Sequence, residues 1–517
     1  MYDYVIIGSG FGGSVAALRL SEKGYRVLVI EQGKWFKPED FPKTNWNLRK
    51  WLWLPALKFF GIQKLSFFRH ITVLSGTGVG GGSLVYANTL PKPKTAFYKN
   101  GSWAELANWE SELEPYYDRA WKMLGAVENP NLGESDESFK QLAIELGIEN
   151  NFEPTKVAVF FGEPEKTVDD PYFKGEGPSK SGCTSCGACM TGCRHNAKNT
   201  LDTNYLFFAQ KEGAEILAEN KVLDVKPIGE NGENGYSVIY KSSVRYFGRA
   251  EEIQTKGVIF AGGVLGTMAL LLKIKDKSLP KLSNKLGDFV RTNNEALIGN
   301  VSFDKSKDMT SGIAIGSIIE IDKNTHIEPV RYGKGSGFWR LLMLPMVTER
   351  NVFRRLFKLI LTPFLHFFDI IKVVRIKDFA RQTSIILFMQ QLDSTLKLYK
   401  TWFGIQTRSS TGDKPTAFIP LAHEIAKKYG KIIKGVNRVL ATETITGIPT
   451  TAHILGGAVM GKSIEEGVID KDNRVFAYKN MLICDGSMVS ANPGVNPSLT
   501  ITAISERAMD QIPPKNN

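Results

Sequence analysis

Val5-Ile-Ile-Gly8-Ser-Gly10-Phe-Gly-Gly13 begins near the first residue, gives way to an alanine- and leucine-rich pattern through Leu20, and is followed by Val27-Leu-Val-Ile30-Glu31. The order reads as strand, turn, helix, strand. In such a unit Gly8 allows the tight turn, Gly10 lets the backbone approach a pyrophosphate, and Gly13 permits close helix packing. The helix N-terminus then offers amide hydrogens and positive dipole to the phosphates. Glu31 stands where a carboxylate takes a ribose hydroxyl. The stretch therefore predicts a dinucleotide-binding α/β unit, and its spacing suits FAD or NAD equally.

Five of the seven residues from Gly76 to Gly82 are glycine. A turn needs one or two, whereas a backbone that something flat approaches closely needs more. This second contact argues for a flavin ring over nicotinamide. Strand patterns at Lys221 to Val225, Tyr236 to Tyr240 and Val258 to Ala261 follow, the last running into Gly262-Gly-Val-Leu-Gly266 and a helix. The nucleotide domain is thus expected to be discontinuous. Trp103 to Leu124 and Ser138 to Leu146 read as scaffold helices.

Cys183, Cys186, Cys189 and Cys193 have the C-x2-C-x2-C-x3-C spacing of a bacterial iron–sulfur ligand run. Arg194 stands where that run has proline, and free thiols are the alternative reading. A zinc site more often pairs two separated C-x2-C knuckles, and the first strand pattern, at Met1, leaves no room for an export signal that would favour disulfides. Cys484, in an apolar strand, is expected to be a core residue.

The 517 residues carry a net charge of +12, and its distribution is uneven. Residues 46–70 contribute +5 and residues 331–381 contribute +8, leaving the remainder close to neutral. Both segments are rich in Trp, Phe, Leu and Ile, which suggests an anionic membrane surface rather than nucleic acid. Each is alternatively a packed element with a solvated basic face, and the second is alternatively a lid over an apolar pocket. The longest charge-free run of the second segment, Leu359 to Phe368, is too short to span a bilayer. The expected location is cytoplasmic, with peripheral attachment to the inner face of the membrane as a variant of it.

The last quarter holds the candidate chemistry. His453 precedes Gly456-Gly457, Asp485-Gly486 closes an apolar strand, and Asn496 stands before the last helix. A histidine of near-neutral pKa can take a hydroxyl proton as hydride leaves the carbon, and an amide can bind the substrate oxygen. His366 and His423 have no partner pattern.

Taken together, Gly78-Val-Gly-Gly-Gly-Ser-Leu-Val, His453 with Gly456-Gly457, Tyr478-Lys-Asn480, Asp485-Gly486-Ser487 and Val495-Asn496-Pro497 resemble the glucose-methanol-choline (GMC) family of flavin oxidoreductases, within it the cholesterol oxidase branch. The resemblance implies an α/β fold: a discontinuous Rossmann-like FAD-binding domain over residues 1–95, 196–300 and 431–512, and an α+β substrate domain on a mixed or antiparallel sheet over 96–182 and 301–430. Residues 183–195 form a cysteine-rich insert. It further implies FAD held by Gly8, Gly10, Gly13, Glu31, Gly82, Val222, Asp485 and Gly486, with His453 and Asn496 in the catalytic places. The branch's substrate-facing acid finds no clear counterpart among Glu349 and Glu424, with Gln390 or Gln391 standing nearby. The expected activity is oxidation of a hydrophobic secondary alcohol, such as a sterol, with oxygen, a quinone or a redox protein accepting the electrons. Two alternatives are a sugar or small-alcohol dehydrogenase that passes electrons through an iron–sulfur cluster, and a non-catalytic flavoprotein docked on membranes.

Overall fold

The computed structural model describes every residue except 246, 350, 393, 411–414 and 517. Arg350 of the second basic segment thus lies outside the described residues. Two seven-stranded sheets organise the chain.

In the first sheet Glu215–Leu217, Val27–Ile30, Tyr2–Ile7 and Glu251–Phe260 run parallel in that order, and Met481–Ile483 pairs parallel with Glu251–Phe260. Tyr236–Ser242 and Asn220–Pro227 extend it antiparallel. Ile7 pairs with both Ile30 and Phe260, and Phe260 with Ile483. This register brings Gly8, Glu31, Ala261 and Cys484-Asp485 to the same edge, the carboxyl ends where open α/β sheets bind ligands. Strands buried on both faces read as continuous apolar runs, which is why Val5-Ile-Ile and Val27-Leu-Val-Ile are legible as strands.

The helix Phe11–Glu22 packs between this sheet and the terminal helix Ser498–Asp510. A Cβ on Gly12 would stand 1.8 Å from the Cys484 carbonyl oxygen, and one on Gly13 2.1 Å from that of Gly8. Glycine is what lets the helix lie this close. Buried Glu506 joins the two helices, accepting from Arg19 Nε at 2.7 Å and from Tyr205 Oη at 2.7 Å.

The second sheet is antiparallel, in the order Met343–Pro345, Gly435–Leu440, Ala296–Ser302, Thr383–Gln390, Thr325–Val330, Ser317–Asp322, Phe152–Pro154. Two of its strands, Ala296–Ser302 and Gly435–Leu440, come from stretches whose sequence boundaries group them with the nucleotide domain. Period-two alternation divides its faces. Ile298, Ile327, Ile386 and Phe388 pack beneath the helices Glu134–Glu145 and Pro420–Ile432. Leu297, Val330, Ile385 and Leu387 point the other way, into a cluster shared with Trp339, Met343 and Leu440.

The two basic apolar segments differ. In the first, Trp51 is fully buried against Phe338 and Trp339, and Trp53 is buried as well, leaving Trp46, Leu54, Leu57 and Phe67 exposed. That segment is packed on the body, as its alternative reading has it. The second forms the helices Val352–Leu365 and Phe367–Val374, whose outer face is exposed. Among the described residues no helix is long and apolar enough to cross a membrane.

Candidate active site

One cavity of about 750 Å³ runs from the glycine turn to the inner face of the second sheet. At one end it is lined by Glu31, Gln32 and Asn220 to Leu223; next come Gly8, Gly10 and Gly12; then Gly76, Thr77, Gly82, Asp485 and Gly486. Of the eight residues expected to hold FAD, seven line it. The eighth, Gly13, instead supports the turn from behind through its contact with Gly8.

The cradle fits a dinucleotide in detail. Gly8 adopts φ +104°, a left-handed conformation that favours glycine, and its missing side chain makes way for Ala261. Gly10 and Gly266 face open space with nothing within 4 Å of a would-be Cβ, as a backbone approached by a ligand requires. Glu31 is buried and accepts from Ser9 N, Ser9 Oγ and Gly33 N. Burial raises its pKa, and these hydrogen bonds oppose the rise. Asp485 accepts from Thr267 Oγ1, Ser487 N and Ser487 Oγ, which fixes it at the strand end.

His453 and Asn496 both line the cavity where glycine-rich cradle meets apolar wall. Two buried carboxylates stand behind them. Glu295 accepts from His453 Nδ1 at 2.8 Å and from the Ala452 amide at 2.8 Å. With Nδ1–H donating to a carboxylate, Nε2 is the ring nitrogen left to exchange a proton with a ligand. Burial opposes a charged ring, yet the Glu295 carboxylate outweighs it and Glu328 adds to the effect, so the His453 pKa is raised. Nearby Glu443 is pushed up to about 8 by burial, with Glu295 adding to it, and so holds its proton at neutral pH.

Glu328 is fully buried on the strand Thr325–Val330 and accepts from Asn496 Nδ2 at 3.2 Å. Its Oε1 lies 3.6 Å from His326 Nε2 and has no hydrogen-bond partner. The second hydrogen of Asn496 Nδ2 remains to donate into the cavity.

Sequence reasoning missed Glu295 and Glu328. The acids it weighed lie elsewhere: Glu349 pairs with Lys358, and Glu424 is exposed beside Lys428. Gln390 bonds Thr325 and Asn294, and Gln391 bonds the Asn492 carbonyl. A signal for Glu328 exists in the alternation of Thr325 to Val330, where it shares a face with cavity-lining Val330.

The four clustered cysteines line one small cavity of about 20 Å³, walled by Val159, Ala197 and Ile313. Room for about one water is less than an iron–sulfur cube needs. Among the described residues no three or more His, Cys, Asp or Glu side chains are placed to hold a metal ion. Burial pushes the Cys183 thiol up to about 12 and the Cys189 thiol up to about 11, with the neighbouring cysteines adding to both. The spacing thus brings the thiols together without arranging them as ligands. Cys484 is a buried core residue with a free thiol.

The description "GMC oxidoreductase" matches residues 175–275 and 411–505, and "NAD(P)-binding Rossmann-like domain" matches residues 6–35. A cholesterol oxidase of Acinetobacter baumannii is 46% identical, covering 100% of this chain and 95% of that relative. One of Mycobacterium tuberculosis is 41% identical, covering 99% and 91%. Among solved structures, a pyridoxine 4-oxidase from Mesorbium loti superposes with TM-score 0.62 at 15% identity, covering 99% of each chain, a likeness of fold. The chain belongs to the GMC oxidoreductase family and is an FAD-dependent oxidoreductase acting on CH–OH groups.

Proposed function

We propose that this enzyme oxidises the secondary hydroxyl of a sterol-like alcohol to a ketone. The observation that carries the reading is the substrate end of the cavity. Beyond His453 and Asn496 the wall is built from Leu297, Val330, Trp339, Ile385, Leu387 and Leu440, with hardly a hydrogen-bond donor among them. A sugar would leave several hydroxyls unpaired there, each costing about 1–3 kcal/mol; a rigid hydrocarbon body with one hydroxyl pairs its single polar group with His453 and Asn496. The sugar alternative loses its footing on this wall, and the non-catalytic alternative on the supported His453–Glu295 pair. The names of the two cholesterol oxidases agree with the reading.

FAD, held by the cradle of Gly8, Gly10, Glu31, Gly82, Asp485 and Gly486, would supply the hydride acceptor. The chain's part is to bind and orient: Asn496 Nδ2 donates to the substrate oxygen, His453 Nε2 takes the hydroxyl proton, and Glu295 holds the ring and favours its protonated form. Glu328 is the structural candidate for the acid that the cholesterol oxidase branch directs at its substrate. Once a ketone stands beside it, the adjoining C–H is acidified, and a carboxylate can carry that proton to shift a neighbouring double bond into conjugation.

The test is anaerobic mixing of the holoenzyme with cholesterol dispersed in detergent, read by bleaching of the flavin, and with glucose as the comparison. Cholesterol bleaches it and glucose does not; the reverse result overturns the reading. Glu328→Gln is expected to retain flavin reduction within about tenfold while the conjugated enone gives way to the unconjugated ketone. Unchanged product would remove Glu328 from the proton shift.

A further inference from the structure

On the strand Thr325–Val330, His326, Glu328 and Val330 share the cavity side of the second sheet, while Ile327 packs on the opposite face. Val330 lines the cavity, Glu328 reaches Asn496, and His326 is the next side chain on that face. Glu320 stands directly opposite His326 in the neighbouring strand Ser317–Asp322, so it shares the face. Its carboxylate pairs with Lys94, and the two side chains are 30% and 37% exposed. Exposure thus rises in steps from Glu328 at 0% through His326 at 2% to Glu320. The strand on the other side presents Met389 to His326 and Leu387 to Glu328, neither of which can carry a proton. One face of the sheet therefore holds a row of proton-accepting groups that leads from the substrate end of the cavity to solvent.

The spacing within the row separates a relay from a fixed ion pair. In the same site His453 Nδ1 and Glu295 close to 2.8 Å, a finished hydrogen bond that holds the ring still. His326 Nε2 and Glu328 Oε1 stop at 3.6 Å, and neither atom has a hydrogen-bond partner although both are buried. That gap is too long for a hydrogen bond, yet a small side-chain rotation closes it. The other carboxylate oxygen of Glu328 accepts from Asn496 Nδ2 at 3.2 Å, which anchors the group while Oε1 can turn between substrate and ring. Buried polar atoms left unpaired in this way call for a functional reason. Imidazole supplies one, since it can take a proton on one nitrogen and give one from the other.

We propose that His326 relays protons between Glu328 and solvent, with Glu320 as the outer station. The inference rests on the reading of Glu328 as the acid that shifts the double bond. In that step Glu328 takes a proton from the carbon between ketone and double bond, the electron pair moves into a conjugated enolate, and a proton returns to the far carbon of the former double bond. Between the two halves, Glu328 Oε1–H gives its proton to His326 Nε2 as the ring releases the one on Nδ1 to Glu320. The reverse passage brings a solvent proton back, so none is gained or lost overall. The relay keeps a base that lies sealed beneath an apolar substrate in exchange with the outside.

The test supplies the flavin-loaded protein, in deuterium oxide, with the unconjugated ketone of cholesterol dispersed in detergent. Deuterium at the far carbon of the enone is read by mass spectrometry and NMR against a protein-free control, and flavin absorbance checks that each variant is folded. In the wild type most of the enone carries the label. His326→Gln keeps a polar side chain but has no titratable nitrogen, so it forms enone at a rate within about tenfold of the wild type while most molecules lose the label. His326→Phe loses it as well, and Glu320→Gln gives an intermediate label. A His326 that merely supported the fold would leave the His326→Gln product labelled like that of the wild type. That result, or unlabelled enone from the wild type, would overturn the relay while leaving Glu328 in place. Full label in Glu320→Gln would remove Glu320 from the route. A wild type that leaves the ketone unconjugated would overturn the reading of Glu328, and the relay with it.

Discussion

His453→Ala lowers the anaerobic rate of flavin reduction by about 100-fold or more, the range for a lost acid or base. The expectation rests on three features of the site: the ring lines the cavity, Nδ1 is committed to Glu295, and Nε2 is the nitrogen left for a substrate proton. Because Gly8, Gly10, Glu31, Gly82, Asp485 and Gly486 of the cradle are left untouched, the variant is expected to keep its full complement of flavin. His453→Gln restores a hydrogen bond but no titratable nitrogen, so it should remain nearly as slow. Stopped-flow bleaching at matched flavin content makes the comparison, and a variant within threefold of the wild type would take His453 out of proton transfer.

How much of this was legible in the sequence follows from the reach of each signal. The nucleotide unit was readable because most of its reasons are local: Gly8 needs a positive φ and Gly13 packs against the Gly8 carbonyl, both within one strand–turn–helix, whereas Gly12 makes room for the distant Cys484 carbonyl. His453 and Asn496 were candidates from the motifs around them, and both line the cavity. Glu295 and Glu328 were not, because what makes them matter is contact with residues far away in the chain. Glu328 meets Asn496 from 168 residues away, and Glu295 meets His453 from 158. Either could be reached from alternation: Glu328 shares parity with Val330, and Glu295 with Leu297, both of which line the cavity.

The two basic, aromatic segments show the limit of composition. Residues 46–60 and 352–374 look alike as lists of Trp, Phe, Leu, Lys and Arg, yet Trp51 is fully buried while Phe353 is almost bare. The difference is whether the rest of the chain supplies a partner. Phe338 and Trp339 cover Trp51 from nearly 290 residues away, whereas nothing among the described residues covers Phe353 or Phe364 to that degree. The cysteine run teaches the same point on a smaller scale. Its spacing correctly places four thiols around one space, but the volume of that space is set by Val159, Ala197 and Ile313, which the spacing does not contain.

Glu295→Gln is expected to move the acid limb of flavin reduction to lower pH while lowering the plateau. On the proposed mechanism His453 acts as a base in its neutral form, so in the wild type the rate should rise with pH through a pKa above the ordinary 6.5 for the ring. Burial alone would set that pKa low, and the Glu295 carboxylate is the principal group that raises it. An uncharged amide removes this effect, so burial prevails and the neutral ring persists to lower pH. A base with a lower pKa drives proton transfer less strongly, which is why the plateau falls as the limb shifts. Glu295→Leu also removes both anchors, on His453 Nδ1 and on the Ala452 amide, freeing the ring to turn; misplacement of this kind costs about 100-fold. The full pH profile is what separates positioning from electrostatics. If the limb stays in place in Glu295→Gln while the plateau drops, Glu295 holds the loop but does not tune the base. If neither changes, the Nδ1–carboxylate contact has no part in turnover, and the proton leaves His453 by another route.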